Sequence, residues 1–370
     1  MSNYFLTHSL LCLVWAQTAV AQTWDRDERS LLTNFNNMYN PCVVETGGEY
    51  RYSMWFFGWA ADHTNQDFPG ADAIFHARSK DLKNWEVWSR DESWDITMDP
   101  QKWTPVLHAS DRWYEAWHVG DPSVVFKDGK YYMAYSATSK PFSKRDGYPA
   151  AMVQCVMGAV SEDGILWQKT KQPLMIRSED TADPKPESGR IGDFHRPTLR
   201  WIDGKWQLWF DYWLAGTGLC MGYAENSGDF TQADGFKPQH DLNSPLIENW
   251  PNPEVVLIAG TYHCFADPSG YPIEKGESGW KSRQLREAIS KDGKNWKKLD
   301  YIPPDNDTDA CHVPQTLVTT VDGKSWLYLF YATQIGYAKR DGEYHYQYDR
   351  IRAMRRPIND SPESTAPKSE

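Results

Sequence analysis

Short runs of alternating apolar and polar residues recur along the chain, and turn residues bound each run. Five of them share one order: a Pro, an apolar segment, a turn that contains Gly, and an aromatic-rich segment. The alternation and the turns predict pairs of antiparallel β-strands. Pro is tolerated at the first residue of a strand because little ladder bonding is lost there. The five runs begin at Pro41, Pro122, Pro197, Pro253 and Pro314.

A second motif, Ser-x-Asp-x-x-x-Trp, occurs three times, each time after an apolar or alternating run. Its turn residues predict a hairpin corner between two strands, with the Trp at the start of the second strand. A degenerate copy at 226–230 fills the long gap between the second and third copies. The three full copies are SKDLKNW at 79–85, SEDGILW at 161–167 and SKDGKNW at 290–296.

Together the two motifs define five successive units of about four strands each. Such a series predicts an all-β fold, a five-bladed β-propeller with four-stranded antiparallel blades. We expect a single propeller domain over residues 22–356 and a disordered tail over 357–370. No last strand for the fifth unit is evident near the C-terminus, so we expect the segment from Trp24 to Asn34 to supply it and close the ring.

The first 21 residues predict a signal peptide. An apolar stretch from Leu10 to Val14 precedes the small residues Ala19 and Ala21, which end just before Gln22. A buried N-terminal helix is the alternative. No later run approaches the roughly 18 apolar residues needed to span a bilayer. We therefore expect a secreted or periplasmic protein with no membrane partner.

Composition narrows the choice of partner. The net charge of −11 argues against nucleic acid, whose phosphates require a basic surface. The 19 Trp exceed what core packing alone suggests, and Trp suits sugar rings and protein interfaces alike. Five Cys follow the predicted signal peptide, an odd number without a CxxC pair, so a zinc site is not expected. Free thiols and one or two disulfides both remain open, as does the oligomeric state.

At this point the sequence resembles secreted glycoside hydrolases with five-bladed propellers, the arabinofuranosidase/xylosidase type and their relatives. The resemblance covers nearly the whole mature chain. It rests on DPSVVFKDGKYYMAYSA at 121–137, on the repeated corners and on HVPQ at 312–315. It implies hydrolysis of glycosidic bonds in a plant or algal polysaccharide or oligosaccharide by acid/base carboxylate catalysis, with inversion.

In a propeller the first strands of all blades line the central axis, and their starts converge at one end, which we call the mouth. The residues around each Pro are polar or charged, and converging polar groups are the usual picture of a ligand site. Glycoside cleavage usually needs two carboxyls. The resemblance implies that Asp193 tunes the acid, that Glu254 is the acid, and that His312 orients water or an axial ion.

The resemblance places the base at Asn40, which cannot take a proton. We expect Asp121, just before the Pro of the second unit, to replace it. Asp62, in a loop after the first aromatic strand, is the alternative. Carboxylates that lie close to each other and to Trp have raised proton affinities, which is how acid and base roles are divided.

The remaining expected substrate contacts are polar or aromatic. Arg196 is expected either to hold an anionic substrate group or to neutralise Asp193. Structural roles are the alternative for every residue chosen: turn hydrogen bonds for the polar ones and packing for the aromatic ones. No metal ligands are assigned, although an axial calcium ion is the one cofactor considered. The expected contacts are His195, Arg196, Trp59, Trp117 and Trp213, together with Asn40, Asp62 and His312.

Two other functions remain open on the same fold. A non-catalytic carbohydrate-binding propeller would explain the missing carboxylate at Asn40. A glycoside phosphorylase would need a phosphate pocket, which Arg196, His195 and His312 can form. In every case the expected partner is a carbohydrate.

Overall fold

The described residues form five antiparallel sheets that follow one another along the chain as the blades of a propeller. The protein is represented by a computed structural model, which describes residues 23–27, 29–35, 37–59, 72–140, 143–145, 148–150, 152–177, 194–275, 279–305, 310–334, 337–340, 343–346 and 349–358. Helix within these ranges is limited to two 3₁₀ segments, Trp113–Glu115 and Gly279–Ser282. The predicted all-β, five-bladed fold is confirmed.

The first two blades each contain four main strands in sequence order. Blade 1 consists of β3 (Tyr39–Glu45), β4 (Tyr52–Trp59), β5 (Asp72–Ser79) and β6 (Trp85–Trp88), extended by β7 (Trp94–Asp95) and β8 (Leu107–His108). Blade 2 consists of β9 (His118–Lys127), β10 (Lys130–Thr138), β13 (Gln154–Ser161) and β14 (Gln168–Lys169), with a hairpin of β11 (Ser143–Arg145) and β12 (Tyr148–Ala150).

Blades 3 and 4 repeat the same order. Blade 3 consists of β15 (His195–Ile202), β16 (Lys205–Leu214), β17 (Gly218–Asn226) and β18 (Lys237–Pro238), and β19 (Ile247–Glu248) also pairs with β17. Blade 4 consists of β20 (Glu254–Ile258), β21 (Thr261–Ala266), β22 (Arg286–Ser290) and β23 (Trp296–Tyr301).

Blade 5 is completed by the N-terminal segment. It consists of β24 (Ala310–Val321), β25 (Lys324–Gln334) and β28 (Asp349–Pro357), with a hairpin of β26 (Tyr337–Arg340) and β27 (Glu343–Tyr346). Its outer strand is supplied by β1 (Asp25–Arg26) and β2 (Leu32–Phe35), which both pair with β28. The predicted closure by the segment from Trp24 to Asn34 is therefore confirmed, and blade 5 extends to Pro357.

The three Ser-x-Asp corners lie where predicted, between the third and fourth strands of blades 1, 2 and 4. In each corner the Ser hydroxyl accepts the N–H groups two and three residues later, at 2.9–3.3 Å. The Asp carboxylate accepts the N–H groups of the residues two and three positions after the Asp, at 2.8–2.9 Å. These side chains therefore satisfy the backbone of the turn, which is a structural role.

Two of the corners also join neighbouring blades. The Gly164 carbonyl accepts the indole N–H of Trp167 at 3.0 Å and that of Trp55, from blade 1, at 2.9 Å. The Gly293 carbonyl of blade 4 likewise accepts two indole N–H groups, that of Trp296 at 3.1 Å and that of Trp209, from blade 3, at 3.1 Å. Trp55 and Trp209 therefore each hold their own blade against the turn of the next blade.

Apolar side chains fill the spaces between blades. Between blades 3 and 4, for example, one buried cluster contains Trp209, Met221, Tyr223, Trp250 and Cys264. All five Cys after the predicted signal peptide are buried free thiols, which settles the choice between thiols and disulfides. Among the described residues, no helix is long and apolar enough to cross a membrane. The predicted signal peptide and the residues from 359 to 370 lie outside the described residues.

The Gly164 corner gives a test of this inter-blade contact. A Cβ at Gly164 would lie 2.7 Å from the Trp55 ring, whereas one at Gly129 would meet nothing within 4 Å, and the two φ angles are 77° and 76°. Both Gly→Ala variants incur the left-handed backbone penalty of about 1–2 kcal/mol. Only Gly164→Ala adds overpacking, which costs about 1–3 kcal/mol more. Urea denaturation should therefore show the larger loss of unfolding free energy for Gly164→Ala, and equal losses would contradict a tight Trp55 contact.

Candidate active site

The inner strand of every blade carries the same backbone distortion just before its Pro. The preceding residue is left-handed in all five blades, with φ between 47° and 53°. In blade 3, His195 pairs with Asp211 and Thr198 pairs with Trp209, so two residues face one and a β-bulge results. A bulge re-aims the side chains on either side of it. The left-handed residues are Asn40, Asp121, Arg196, Asn252 and Val313.

In blades 2, 3 and 4, a residue near or just after the end of the second strand lies beside the left-handed residue of the next blade. In blade 3, the Asp211 carboxylate accepts the N–H of Asn252 from blade 4 at 2.9 Å. At the equivalent position of blade 2, the Ser136 hydroxyl accepts the N–H of Arg196 at 2.8 Å. At that of blade 4, the Asp267 carboxylate accepts the N–H of Val313 at 2.9 Å. Three junctions between blades are thus held by one repeated hydrogen bond, and two of the acceptors are carboxylates.

Two buried carboxylates at the mouth lie on either side of one imidazole. His195 Nε2 lies 3.4 Å from Asp121 Oδ2, and its Nδ1 lies 4.0 Å from Asp211 Oδ1. The Arg196 guanidinium lies 3.2 Å from Asp211 Oδ2. Asp121 exposes 5% of its surface and Asp211 exposes none. The predicted residues Asp121, His195 and Arg196 therefore come together, and Arg196 forms an ion pair with Asp211.

Burial shifts the proton affinities of this group. It raises the pKa of Asp211 to about 6, although the Arg196 guanidinium and the Asn252 N–H both oppose the shift. It also raises the pKa of Asp121, against the effect of Arg196. Burial lowers the pKa of the His195 imidazole well below its usual range, so this ring is neutral near pH 7. The site therefore contains an uncharged His between two carboxyls that hold protons more tightly than usual.

Further charged pairs border this group. The Asp72 carboxylate of blade 1 contacts His118 Nδ1 at the start of blade 2, and the Trp117 ring packs on that imidazole with centroids 3.7 Å apart. On the other side, Arg283 lies 2.7 Å from Asp267, which also accepts a hydrogen bond from the Asn252 amide at 2.6 Å. Carboxylates from blades 1 to 4 thus contribute to the mouth.

Several buried polar atoms of the mouth have no hydrogen-bond partner among the described residues. A buried polar group without a partner costs roughly 1–3 kcal/mol, and in native proteins it points to a bound ligand, to water or to a catalytic role. Such atoms on several blades indicate that the mouth is built to receive polar groups. They are Trp59 Nε1, Asp72 Oδ1, Asp121 Oδ1, Arg196 Nε, Asp211 Oδ1 and Asn252 Oδ1.

Glu254 lies in a different environment, at the residue after its Pro. It is fully buried, contacts the Arg200 guanidinium, and accepts the Thr316 N–H at 3.0 Å and the Thr198 hydroxyl at 3.0 Å. The equivalent residues of blades 1 and 2 also accept backbone N–H groups of the next blade: Cys42 from Val124, and Ser123 from Leu199. The side chain of the residue after the Pro therefore joins neighbouring blades close to the central axis.

Both Glu254 oxygens are occupied by protein donors, and none of its described hydrogen bonds or ion pairs reaches the Asp121–His195–Asp211 group. Its contacts favour a structural role, and its assignment as the acid stays a prediction. Asn40 is used similarly: its amide donates to the Pro122 carbonyl at 2.8 Å and accepts from Gln315 at 3.3 Å.

The predicted aromatic and histidine contacts occupy different depths of the mouth. Trp213, two residues beyond Asp211 on β16 and on the same face, is 45% exposed. Trp59 holds the corresponding place on β4 and is half-buried. Trp117 is buried beneath His118, and His312 is buried with its ring 6.0 Å from that of Tyr39. Trp213 is therefore the best placed to stack on a sugar. Asp62 and Asp193 lie outside the described residues.

The expectation from the sequence missed Asp211, Asp267 and the pair of Asp72 and His118. One signal was available for Asp211, which is a lone carboxylate in the otherwise aromatic segment WFDYW of a buried strand. Asp267 likewise follows the apolar end of its strand, in CFAD. A charge in a strand that is buried on both faces requires a partner, so it points to the axis or to an interface.

No protein-family model and no curated protein matches the chain. Solved structures do. A thermostable family-43 glycoside hydrolase is 15% identical with a TM-score of 0.55, over 85% of this chain and 96% of that one. A family 117 glycoside hydrolase from the marine bacterium Zobellia galactanivorans is 14% identical with a TM-score of 0.58, over 89% and 90%. An α-L-arabinofuranosidase from Lactobacillus brevis is 11% identical with a TM-score of 0.54, over 89% and 93%.

These structural neighbours are glycoside hydrolases, and the chain shares their propeller fold over most of its length. The resemblance noted in the sequence is thereby confirmed at the level of the fold. Among the described residues, no three His, Cys, Asp or Glu side chains are grouped as metal ligands, so no residue is assigned to calcium.

Glu254→Gln tests the structural interpretation of the inner carboxylate. The substitution leaves the Arg200 guanidinium without its counter-charge in a buried site, which costs about 3–5 kcal/mol. We expect a marked fall in the thermal midpoint, with catalytic activity per folded molecule retained at low temperature. Calorimetry and activity assays on the same sample measure both. A stable Glu254→Gln protein without activity would instead assign the acid to Glu254.

Proposed function

We propose that the protein is a glycoside hydrolase in which Asp121 is the general base and Asp211 is the general acid. The observation that carries the proposal is the pair of carboxylates on either side of His195, each with one buried oxygen that has no described hydrogen-bond partner. Glycoside cleavage requires two carboxyls of unlike proton affinity flanking the scissile bond. The shared fold of known glycoside hydrolases supports the same class of reaction.

The role of the acid follows from its raised proton affinity, and the base is assigned to the other carboxylate of the pair. Asp211, with its pKa raised to about 6, holds a proton in weakly acidic solution and can donate it to the leaving-group oxygen. Asp121 takes the proton of the attacking water. His195 is neutral and separates the two carboxylates. Inversion is carried over from the resemblance, and a separation of roughly 6.5–9.5 Å between the two carboxyl groups is its structural criterion.

The substrate is a saccharide from a plant or algal polysaccharide, as proposed from the resemblance. Trp213 at the rim offers an exposed face for one sugar ring. Four mouth carboxylates against the guanidiniums of Arg196 and Arg283 leave little free positive charge, which favours a neutral sugar. Export of the enzyme remains part of the proposal and rests on residues 1–21.

Asp121→Asn and Asp211→Asn should each reduce hydrolysis by about 10²–10⁴-fold, because each removes one partner of the acid/base pair. The measurement is turnover of plant and algal oligosaccharides, whose leaving groups need a proton from the acid. Asp95→Asn is the matched control: Asp95 is buried too, but it bonds to Thr97, Asp99 and Trp103 away from the mouth. It should lower stability and leave turnover per folded molecule intact.

Other outcomes separate the alternative functions. Binding of a glycan without cleavage by the native protein would favour a non-catalytic propeller. Turnover that requires inorganic phosphate would favour a phosphorylase. Full activity in both Asp→Asn variants would refute the assignment of this pair.

The raised pKa of Asp211 predicts the alkaline limb of the pH profile. Above a pH of about 6 the carboxyl loses the proton that it must donate, so kcat/KM for a disaccharide should fall with a midpoint near pH 6. Initial rates between pH 4 and 9, in about one-unit steps, give the profile. An alkaline limb that begins above about pH 8 would exclude Asp211 as the proton donor.

A further inference from the structure

If the proposed function is correct, one proton has to be returned to Asp211 after each turnover, and His195 lies beside its path. At the end of an inverting reaction Asp121 holds the proton taken from water, and Asp211 has lost its proton to the leaving-group oxygen. One proton must therefore reach Asp211 before the next turnover. Asp211 exposes no surface in the substrate-free protein, so bulk water does not bathe this carboxyl between turnovers and a neighbouring group is needed to carry the proton.

His195 is placed between the donor and the acceptor of that proton. Its Nε2 faces Asp121 Oδ2 at 3.4 Å, and its Nδ1 faces Asp211 Oδ1 at 4.0 Å. Both distances exceed a hydrogen bond, but catalytic contacts commonly tighten when a substrate or product is bound. The other oxygen of Asp211 is already bonded to Arg196 and to the Asn252 N–H. The oxygen that faces His195 is therefore the one left to receive a proton.

The groups around the ring keep it uncharged. Burial is the main reason that the pKa of His195 lies well below its usual range, and the Arg196 guanidinium on the same strand adds to the effect. The two carboxyls face its nitrogens from β9 and β16. A ring in this setting can move a proton without storing one, provided that it accepts at one nitrogen while it donates from the other.

We propose that His195 is the proton relay that returns the proton from Asp121 to Asp211 between turnovers. The Asp121 carboxyl donates to Nε2 while the Nδ1–H donates to Asp211 Oδ1, so both carboxyls return to their starting states and the ring stays neutral. The side chain of His195 is 13% exposed. Water in the mouth restores the Nδ1–H tautomer after product leaves. His195 is thus assigned to the recovery of the enzyme and not to bond cleavage.

His195→Gln tests the relay, because Gln can hydrogen-bond to both carboxyls but cannot pass a proton between them. For an oligosaccharide that the native enzyme cleaves, the first turnover should keep its rate, and later turnovers should slow by about 10-fold or more. Rapid-quench kinetics would show this as a burst of one product per enzyme. Added imidazole should restore the later turnovers.

The leaving group provides the control within the same variant. A 4-nitrophenolate leaves without the help of an acid, so its release does not depend on a proton at Asp211. Steady-state cleavage of the 4-nitrophenyl glycoside of the same sugar should therefore change by less than about 3-fold in His195→Gln. His263→Gln removes a His that hydrogen-bonds to Glu287 and contacts neither Asp121 nor Asp211, and its first and later turnovers should proceed at one rate.

Each outcome decides between the relay and its alternatives. If the first turnover and the 4-nitrophenyl glycoside slow as much as later turnovers do, His195 only positions the carboxyls and the relay is refuted. If no step slows, the relay is refuted as well. If the native protein hydrolyses none of the saccharides tested, the proposed function itself has failed, and this result is distinct from the other two.

Discussion

The left-handed residue before each inner-strand Pro is the constraint on which the mouth depends. In blades 1, 2, 3 and 5 it adds one residue to the inner strand and so changes which side chains face the axis on either side of it. For residues other than Gly this conformation costs about 1–2 kcal/mol each, and Val313 is β-branched, which makes it the least favourable of the five. In blades 3, 4 and 5 the N–H of the same residue donates a hydrogen bond to a side chain of the preceding blade, which offsets the cost.

The bulge separates two rings of polar residues that have different chemistry. Below it, the residues after each Pro bond to the next blade inside the axis, and Glu254 there has donors on both oxygens. Above it, Asp211 also pairs with an Arg and accepts an inter-blade N–H, yet one of its oxygens has no described partner. Both are fully buried carboxylates with a guanidinium neighbour. Only the one with an unoccupied oxygen at the mouth has the capacity to exchange a proton with a substrate.

The sequence predicted the fold well because the relevant signals are local. The Pro, the Gly turn and the Ser-x-Asp corner each stabilise their own few residues, so they recur wherever a blade recurs. The site depends on pairing across strands, which the sequence shows only indirectly. The position of Glu254 one residue after its Pro decides that it lies below the bulge. Asp211 reaches the mouth only because it pairs with His195, 16 positions earlier in the chain.

A comparison between blades explains why Asp211 requires more than a structural explanation. Ser136 holds the equivalent position in blade 2 and accepts the same inter-blade N–H at a similar distance without any charge. The hydrogen bond therefore does not require a carboxylate. A carboxylate there has a cost: burial raises its pKa from the ordinary Asp value of about 3.9 to about 6, so above pH 6 its ionisation destabilises the fold by about 3 kcal/mol. That penalty is relieved as the pH falls below 6 and the folded state takes up the proton. The Arg196 guanidinium needs a counter-charge at Asp211, but that need does not explain why the other Asp211 oxygen has no described partner at the mouth. A buried oxygen left open in this way is typical of a residue retained for its chemistry.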